Sequence, residues 1–328
     1  MATQRCVGVD VGARELVVAI EGRSGTIAFA NDAEGHGRLV RLLRKRRGPI
    51  RVGLEASGIY HLDVALALHR TPSIEVMVVN PAAARDFARA LLARSKTDGV
   101  DAVVLLEFVR RMPFEAWQPP AQEILDLRAL MRRIGALTVA QTQERNRRHA
   151  AGRCSELTDA IAWDIEAHLE HLAQSIERLE AKALDLVRAD PILRTRFAQL
   201  TSVRGIATLS ALRILAELAV LPADMTARQW VAHAGLDPQH IESGTSLHKP
   251  TRISKTGNGH LRAALYMPAM VAIREETQVK AFAQKLVARG KKPIQAIVAV
   301  ERKLLHSIYG MWRTNSMFDG SKFLAMRA

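Results

Sequence analysis

Residues 5–11, RCVGVDV, make an apolar run that ends around a carboxylate, and residues 50–55, IRVGLE, repeat the arrangement. An apolar strand does not ordinarily carry a charge at its end, so Asp10 and Glu55 mark positions where two strands stop at something polar. Working outward, Glu15 to Ile20 and Thr26 to Ala30 read as two more short strands behind tight turns. Gly35 to Arg47 reads as a basic helix with Leu39, Leu42 and Leu43 on its apolar side, and His61 to His69 as another. Ile74 to Val79 is a fifth strand. Pro81 opens a helix through Ala93, a favourable first-turn proline. Thr97 then caps a helix to about Arg111 with Asp98 and Asp101 in its first turn. Three consecutive strands followed by alternating helices and strands describe an α/β domain built on a mixed sheet.

The proline-rich stretch 112–120, MPFEAWQPP, is a boundary, and the pattern beyond it changes to long helices. Ile124, Leu127, Leu130, Ile134 and Leu137 recur every three or four residues. After Gly152 a second series follows at Ile161, Ile165, Leu169, Leu172, Ile176, Leu179, Ala183 and Leu186. That periodicity fits an antiparallel helical pair or coiled coil, or two helices packed on their own domain. Trp163, Trp230 and Trp312 fall on helical patterns and read as core. From Leu193 the chain is mainly helical, interrupted by a polar stretch from Asp237 to Gly259 that is long for an idle loop. The expected division is 1–118, 119–192 and 193–328.

Of the 328 residues, 48 % are hydrophobic, ample for at least one sizeable core and too apolar for a disordered chain. Arg or Lys interrupts every apolar run before it reaches the roughly 18 residues of a membrane span. No signal peptide is visible at the N-terminus. Two cysteines, Cys6 and Cys154, argue against a disulfide framework or a structural zinc site and fit a reducing cytoplasm. Lys and Arg number 47 against 33 Asp and Glu, a formal charge of +14. Residues 191–328 carry 20 basic and 8 acidic side chains, so nearly all the excess lies in the last third. A polyanion partner for that third follows, although a merely basic surface has the same count.

Asp10 and Glu55 close apolar strands, and Asp98 and Asp101, three apart, share one helix face. Taken singly, Asp98 reads as a helix N-terminal charge and Asp101 as a solvated one. As a set gathered at a sheet edge, four carboxylates repel one another unless cations lie between them, and hard oxygen donors suit Mg²⁺. Two such ions serve phosphoryl transfer by activating a nucleophile and stabilising a leaving oxygen. Ser243, within ESGTS at 242–246, stands in a polar loop before the cations His248, Lys249, Arg252, Lys255 and Arg262. A serine needs activation to act as a nucleophile, and on its own this one is ordinary. Residues 200–218 have the helix–turn–helix cadence of a helix-hairpin-helix, or of a plain helical hairpin.

These motifs together resemble the IS110 family, a DEDD class of bacterial insertion-sequence transposases. The resemblance rests on Asp10 in GVDVG, Glu55 in LEASGIY, and KTDGVDA at 96–102. Asn80-Pro81, ESGTS, RISKTGN at 252–258 and LRAALYMPAM at 261–270 extend it, in order, from about residue 5 to 315. It implies a RuvC-like, ribonuclease-H-type α/β domain (1–118), a coiled-coil middle (119–192), and a mainly α C-terminal transposase domain (193–328). It implies that Asp10, Glu55, Asp98 and Asp101 bind Mg²⁺ and that Ser243 attacks DNA to form a covalent phosphoserine bond, with Ser246 as fallback. Lys249, Arg252, Lys255 and Arg262 would bind nucleic acid. The partners implied are donor and target DNA, a structured noncoding RNA encoded by the element, and further copies of the chain as a homodimer or homotetramer. The implied site of action is the bacterial cytoplasm, on the nucleoid, without a membrane. At 204–207 this chain has Arg-Gly-Ile-Ala where the family often has Pro-Gly-Ile-Gly. Three other readings fit parts of the sequence: a RuvC-type metal-dependent junction nuclease, an actin-like kinase, and a non-enzymatic nucleic-acid-binding scaffold.

Overall fold

A computed structural model describes residues 5–45, 48–56, 58–92, 97–153, 159–243 and 247–325. The chain divides into two compact units, Met1–Pro119 and Pro120–Ala328.

In the first unit, strands β1 (Arg5–Val11), β2 (Glu15–Ile20) and β3 (Thr26–Ala30) are followed by helix α1 (Ala33–Arg44). Strand β4 (Ile50–Glu55), helix α2 (Leu62–His69) and strand β5 (Ile74–Val79) come next, then helices α3 (Pro81–Ala90) and α4 (Asp98–Arg111). The five strands form one sheet in the order β3-β2-β1-β4-β5. β1 pairs antiparallel with β2 and β2 with β3, while β1–β4 and β4–β5 are parallel. This is the mixed sheet of a ribonuclease-H-type domain, and its five strands lie where the sequence predicts them. The alternation of side chains splits the sheet into two faces. Val7, Val9, Val52 and Leu54 are fully buried in one cluster with Leu39 and Leu43 of α1 and Val64, Ala65 and Leu68 of α2. The other face of β1 and β4 carries Gly8, Asp10, Gly53 and Glu55, and α4 packs there.

The second unit begins with two long helices, α5 (Gln122–Ala151) and α6 (Asp159–Ala189), which pack against each other. Helices α7 (Pro191–Thr201), α8 (Thr208–Leu218) and α9 (Ala227–His233) follow, then strands β6 (Pro238–Ser243) and β7 (Leu247–Ile253). Helices α10 (Gly259–Glu275), α11 (Thr277–Ala288), α12 (Pro293–Thr314) and α13 (Gly320–Ala325) complete it. Leu127, Met131 and Ile134 of α5 and Ala183 and Val187 of α6 share one core with α7 to α12. Trp230 is buried there, edge-on to Tyr309 and Trp312. Trp163 departs from the core expectation. It is 73 % exposed, because it stands two residues, about 200° around the helix, from Ile165, which with Leu169 and Leu172 forms the buried face of α6.

A buried charge anchors the root of α5. Glu217 of α8 accepts from Arg128 Nε (3.2 Å), Arg132 Nε (3.0 Å) and Asn258 Nδ2 (2.7 Å). Burial raises its pKa, but the two guanidiniums and the amide outweigh that and hold the carboxyl below its ordinary value. Asn258 also caps α10, its Oδ1 accepting from the His260 and Leu261 amides. At the turn between α7 and α8, Gly205 has φ +107°, and a Cβ there would stand 2.8 Å from the Ala272 nitrogen and 2.9 Å from the Pro268 oxygen. Only glycine tolerates both the angle and the approach of α10.

The polar stretch expected as a loop is in part a hairpin: β6 and β7 pair antiparallel, with an irregularity between Gln239 and Ile241. Gln239, His240, Thr251 and Arg252 are all exposed. With these four side chains in solvent, the base of the hairpin lacks the apolar alternation that announces a strand.

Candidate active site

The register of β1 on β4 pairs Gly8 with Gly53 and Val9 with Leu54, so the next residues, Asp10 and Glu55, lie side by side at the C-terminal ends of parallel strands. Helix α4 brings the other two carboxylates. Its N-terminus is fixed by Thr97, whose Oγ1 accepts from the Val100 amide (3.3 Å), and Asp98 and Asp101 occupy its first turn. Burial pushes the Asp10 carboxyl up to about 6, and the charges of Asp101, Asp98 and Glu55 push it the same way. A backbone hydrogen bond from Val11 opposes them. The structure thus brings the other three predicted carboxylates within electrostatic reach of Asp10. Among the described residues no three His, Cys, Asp or Glu side chains close on a common point as a metal cage. The donor set nevertheless fits a hard divalent cation, because positive charge between these oxygens offsets both the burial and the carboxylate repulsion that lift Asp10.

Two devices that the sequence reading missed hold this cluster. The first is glycine. A Cβ at Gly8 would lie 2.1 Å from the Ala102 oxygen and 2.3 Å from the Leu106 nitrogen, and one at Gly53 would lie 2.4 Å from Val109 Cγ2. The bare backbone at both positions lets α4 rest directly on the strands, two residues before each strand's carboxylate. The available signal was the repeated spacing GVD and GLE. The second is Asn31, whose Nδ2 donates to the Gly12 oxygen (2.8 Å) and the Tyr60 oxygen (3.2 Å). It ties together the turns that follow Asp10 and Glu55. His36 Nε2 lies 2.7 Å from Asn31 Oδ1, so this ring nitrogen carries the proton, and burial lowers the pKa of His36.

Ser243 belongs to the other unit. It ends β6, opposite Leu247 of β7, at the tip of the hairpin; its side chain, and Ser246 altogether, lie outside the described residues. The Lys249 side chain is also outside them. Arg252 and Lys255 are exposed at the hairpin's base, whereas Arg262 turns inward and donates to the Ala234 oxygen (2.8 Å).

Comparison with known proteins decides what this arrangement belongs to. The DEDD transposase model of IS110 type matches residues 7–151, and the transposase model of the IS116/IS110/IS902 family matches residues 198–284. The chain belongs to the IS110 family of transposases. All four carboxylates fall within the first match and Ser243 within the second. A pilin gene-inverting protein of Moraxella bovis is 28 % identical over 298 residues, 89 % of each chain. One from Moraxella lacunata is 29 % identical over 270 residues, 81 % of each chain. An uncharacterised 43.6 kDa protein of insertion element IS110 in Streptomyces coelicolor is 24 % identical over 161 residues, 49 % of this chain and 38 % of that protein. Membership of this transposase family makes DNA the substrate and its cutting and rejoining the activity. No helix among the described residues is long and apolar enough to cross a membrane.

Proposed function

We propose that the protein is an insertion-sequence recombinase that cuts and rejoins DNA through a phosphoserine bond at Ser243, with Mg²⁺ held by Asp10, Glu55, Asp98 and Asp101. The observation that carries this reading is the gathering of four carboxylates at one sheet edge in a chain of the IS110 family. When bound, Mg²⁺ supplies Lewis-acid activation at the scissile phosphate. Ser243 Oγ forms the new bond to phosphorus as one P–O ester bond of the DNA breaks, and the serine proton ends on the departing DNA oxygen, which leaves as a hydroxyl. The freed DNA hydroxyl of the new partner strand later attacks the phosphoserine and restores the serine. Phosphodiester energy is conserved through both steps, so no nucleotide triphosphate is consumed.

The carboxylates and Ser243 lie in different units, so the reaction requires residues 1–118 and 193–328 to meet at one phosphate, within a chain or between copies in a homodimer or homotetramer. Helices of 119–192 join these parts, and the basic last third binds polynucleotide through Lys249, Arg252 and Lys255, while Arg262, turned onto the Ala234 carbonyl, braces the segment that carries them. A structured noncoding RNA encoded by the element guides the choice of DNA, and the reaction takes place on the bacterial nucleoid.

A denaturing gel tests this reading. Purified protein is incubated with end-labelled donor DNA, Mg²⁺ and transcript of the element's noncoding flank, beside Ser243→Ala. The expected result is a labelled band at protein plus DNA mass that Ser243→Ala lacks. Free cleaved DNA from both proteins would instead make this a hydrolytic nuclease of the RuvC type.

A further inference from the structure

Beside the base of the β6–β7 hairpin, the second unit contains a groove of about 970 Å³. Its floor is apolar, from Phe282 and Leu286 of α11 and Ile294, Val298 and Tyr309 of α12. Its rim is cationic: Arg252 and Lys255 on the hairpin side, Lys291 and Arg302 opposite. Among the described residues no carboxylate lines it, and none of these four rim cations forms an ion pair. Lys303 closes one end with its ammonium over the Phe282 ring (4.4 Å) and donating to the Phe323 carbonyl. His306, also in the lining, is held below its ordinary pKa by burial and by the charges of Arg302, Lys303 and Arg228. Among the described residues, positive charge has therefore accumulated around an apolar trough whose lining supplies no carboxylate.

That combination selects among occupants. A DNA duplex offers phosphates to the rim but keeps its bases stacked inside, so the floor gains nothing from it. An unpaired strand offers phosphates and bare base faces together, and base–aromatic stacking above a cationic track is how single strands are held without sequence preference. The volume lies at the top of the roughly 300–1,000 Å³ range of small-molecule pockets, room for a run of bases rather than one. The trough also borders the hairpin whose first strand ends at Ser243, five residues or about 17 Å of strand beyond Pro238.

We propose that this groove seats an unpaired stretch of the DNA strand on which the hairpin acts, its bases on Ile294, Val298 and Tyr309 and its phosphates on Arg252, Lys291 and Arg302. The proposal rests on the recombinase reading for the identity of the strand, and its test is made without the reaction. The full-length protein, in EDTA, is titrated into fluorescein-labelled single-stranded DNA of about 15 nucleotides, the same sequence as RNA, and the blunt DNA duplex. Wild type is expected to bind the single DNA strand more tightly than the duplex. Ile294 is 51 % exposed, so Ile294→Asp is expected to leave thermal unfolding unchanged. It should weaken single-strand binding at least tenfold and duplex binding less than twofold. Lys291→Gln with Arg302→Gln should lower the slope of log affinity against log salt by about 1.4 for the single strand. A photo-crosslink from a 5-iododeoxyuridine strand to the unaltered protein, mapped to the peptide containing Tyr309, supports the seat without any substitution. Equal losses on strand and duplex, binding of RNA but not DNA, or crosslinks confined elsewhere would overturn it. So would a change of oligomeric state in Ile294→Asp with DNA binding intact, which would make the groove a contact between copies. A protein that seats the strand yet forms no covalent complex leaves this inference standing while the phosphoserine reading fails.

Discussion

Gly8→Ala tests whether the contact of α4 with β1 sets the spacing of the carboxylates. The new Cβ would meet the Ala102 oxygen at 2.1 Å and the Leu106 nitrogen at 2.3 Å. Both are backbone atoms, so no side-chain rotation relieves the overlap, and α4 must lift by about 1 Å to reach ordinary contact. Overpacking of this kind costs about 1–3 kcal/mol. Asp101 precedes Ala102 directly, so the lift carries a carboxylate away from Asp10, and a displacement of about 1 Å costs on the order of a hundredfold in rate. Gly53→Ala provides the internal comparison, because its Cβ meets a side-chain atom, Val109 Cγ2, at 2.4 Å, with the Leu105 oxygen at a tolerable 3.4 Å. Val109→Ala removes that obstacle, so Gly53→Ala with Val109→Ala should recombine DNA faster than Gly53→Ala alone. The assay pairs guanidinium unfolding with strand-exchange rates on the same preparations. Wild-type midpoint and wild-type rate in Gly8→Ala would refute the reasoning, as would a Gly53→Ala defect that Val109→Ala leaves untouched.

Two further outcomes follow from buried charge. Glu301, 2 % exposed in α12, has its pKa raised to about 7 by burial, against the partial pull of Arg262. A folded pKa above the unfolded value of 4.5 means that stability is lost as pH rises from about 4.5 to 7, by about 3 kcal/mol for this residue. Glu301→Gln should raise the urea midpoint at pH 8 and leave it nearly unchanged at pH 4.5; the opposite pH order would contradict the assignment. Glu217→Ala should cost about 3–5 kcal/mol, because it strands the Arg128 and Arg132 guanidiniums beside α8. Thermal unfolding measures the loss, and a change below 1 kcal/mol would mean that water already screens the pair.

The first unit was legible because its signals are local. Each strand is an apolar run bounded by turns, Asn80 and Thr97 cap the helices that follow them, and Asp10 and Glu55 stand out as charges where strands end. What escaped depends on residues distant along the chain. Gly8 looks like any strand glycine until α4, almost a hundred residues later, is laid across it. Glu217 reads as one more helical acid until α5 supplies two arginines from 85 and 89 residues away. The hairpin escaped for the opposite reason, since a ribbon with exposed side chains at its base carries no hydrophobic period to detect.

The Glu217 anchor has a mechanical consequence. Past Thr138, whose hydroxyl accepts from Arg213, α5 continues for 13 more residues to Ala151, an arm of about 20 Å. A rod clamped at one end behaves as a lever: a rotation of about 3° at the clamp moves the far end by about 1 Å over this length. The clamp shares a carboxylate with Asn258, the residue that starts α10 and ends the segment from Lys255. A push at the remote end of the helical pair therefore arrives as torque on the segment below the hairpin, and a displacement of the hairpin is magnified at the remote end.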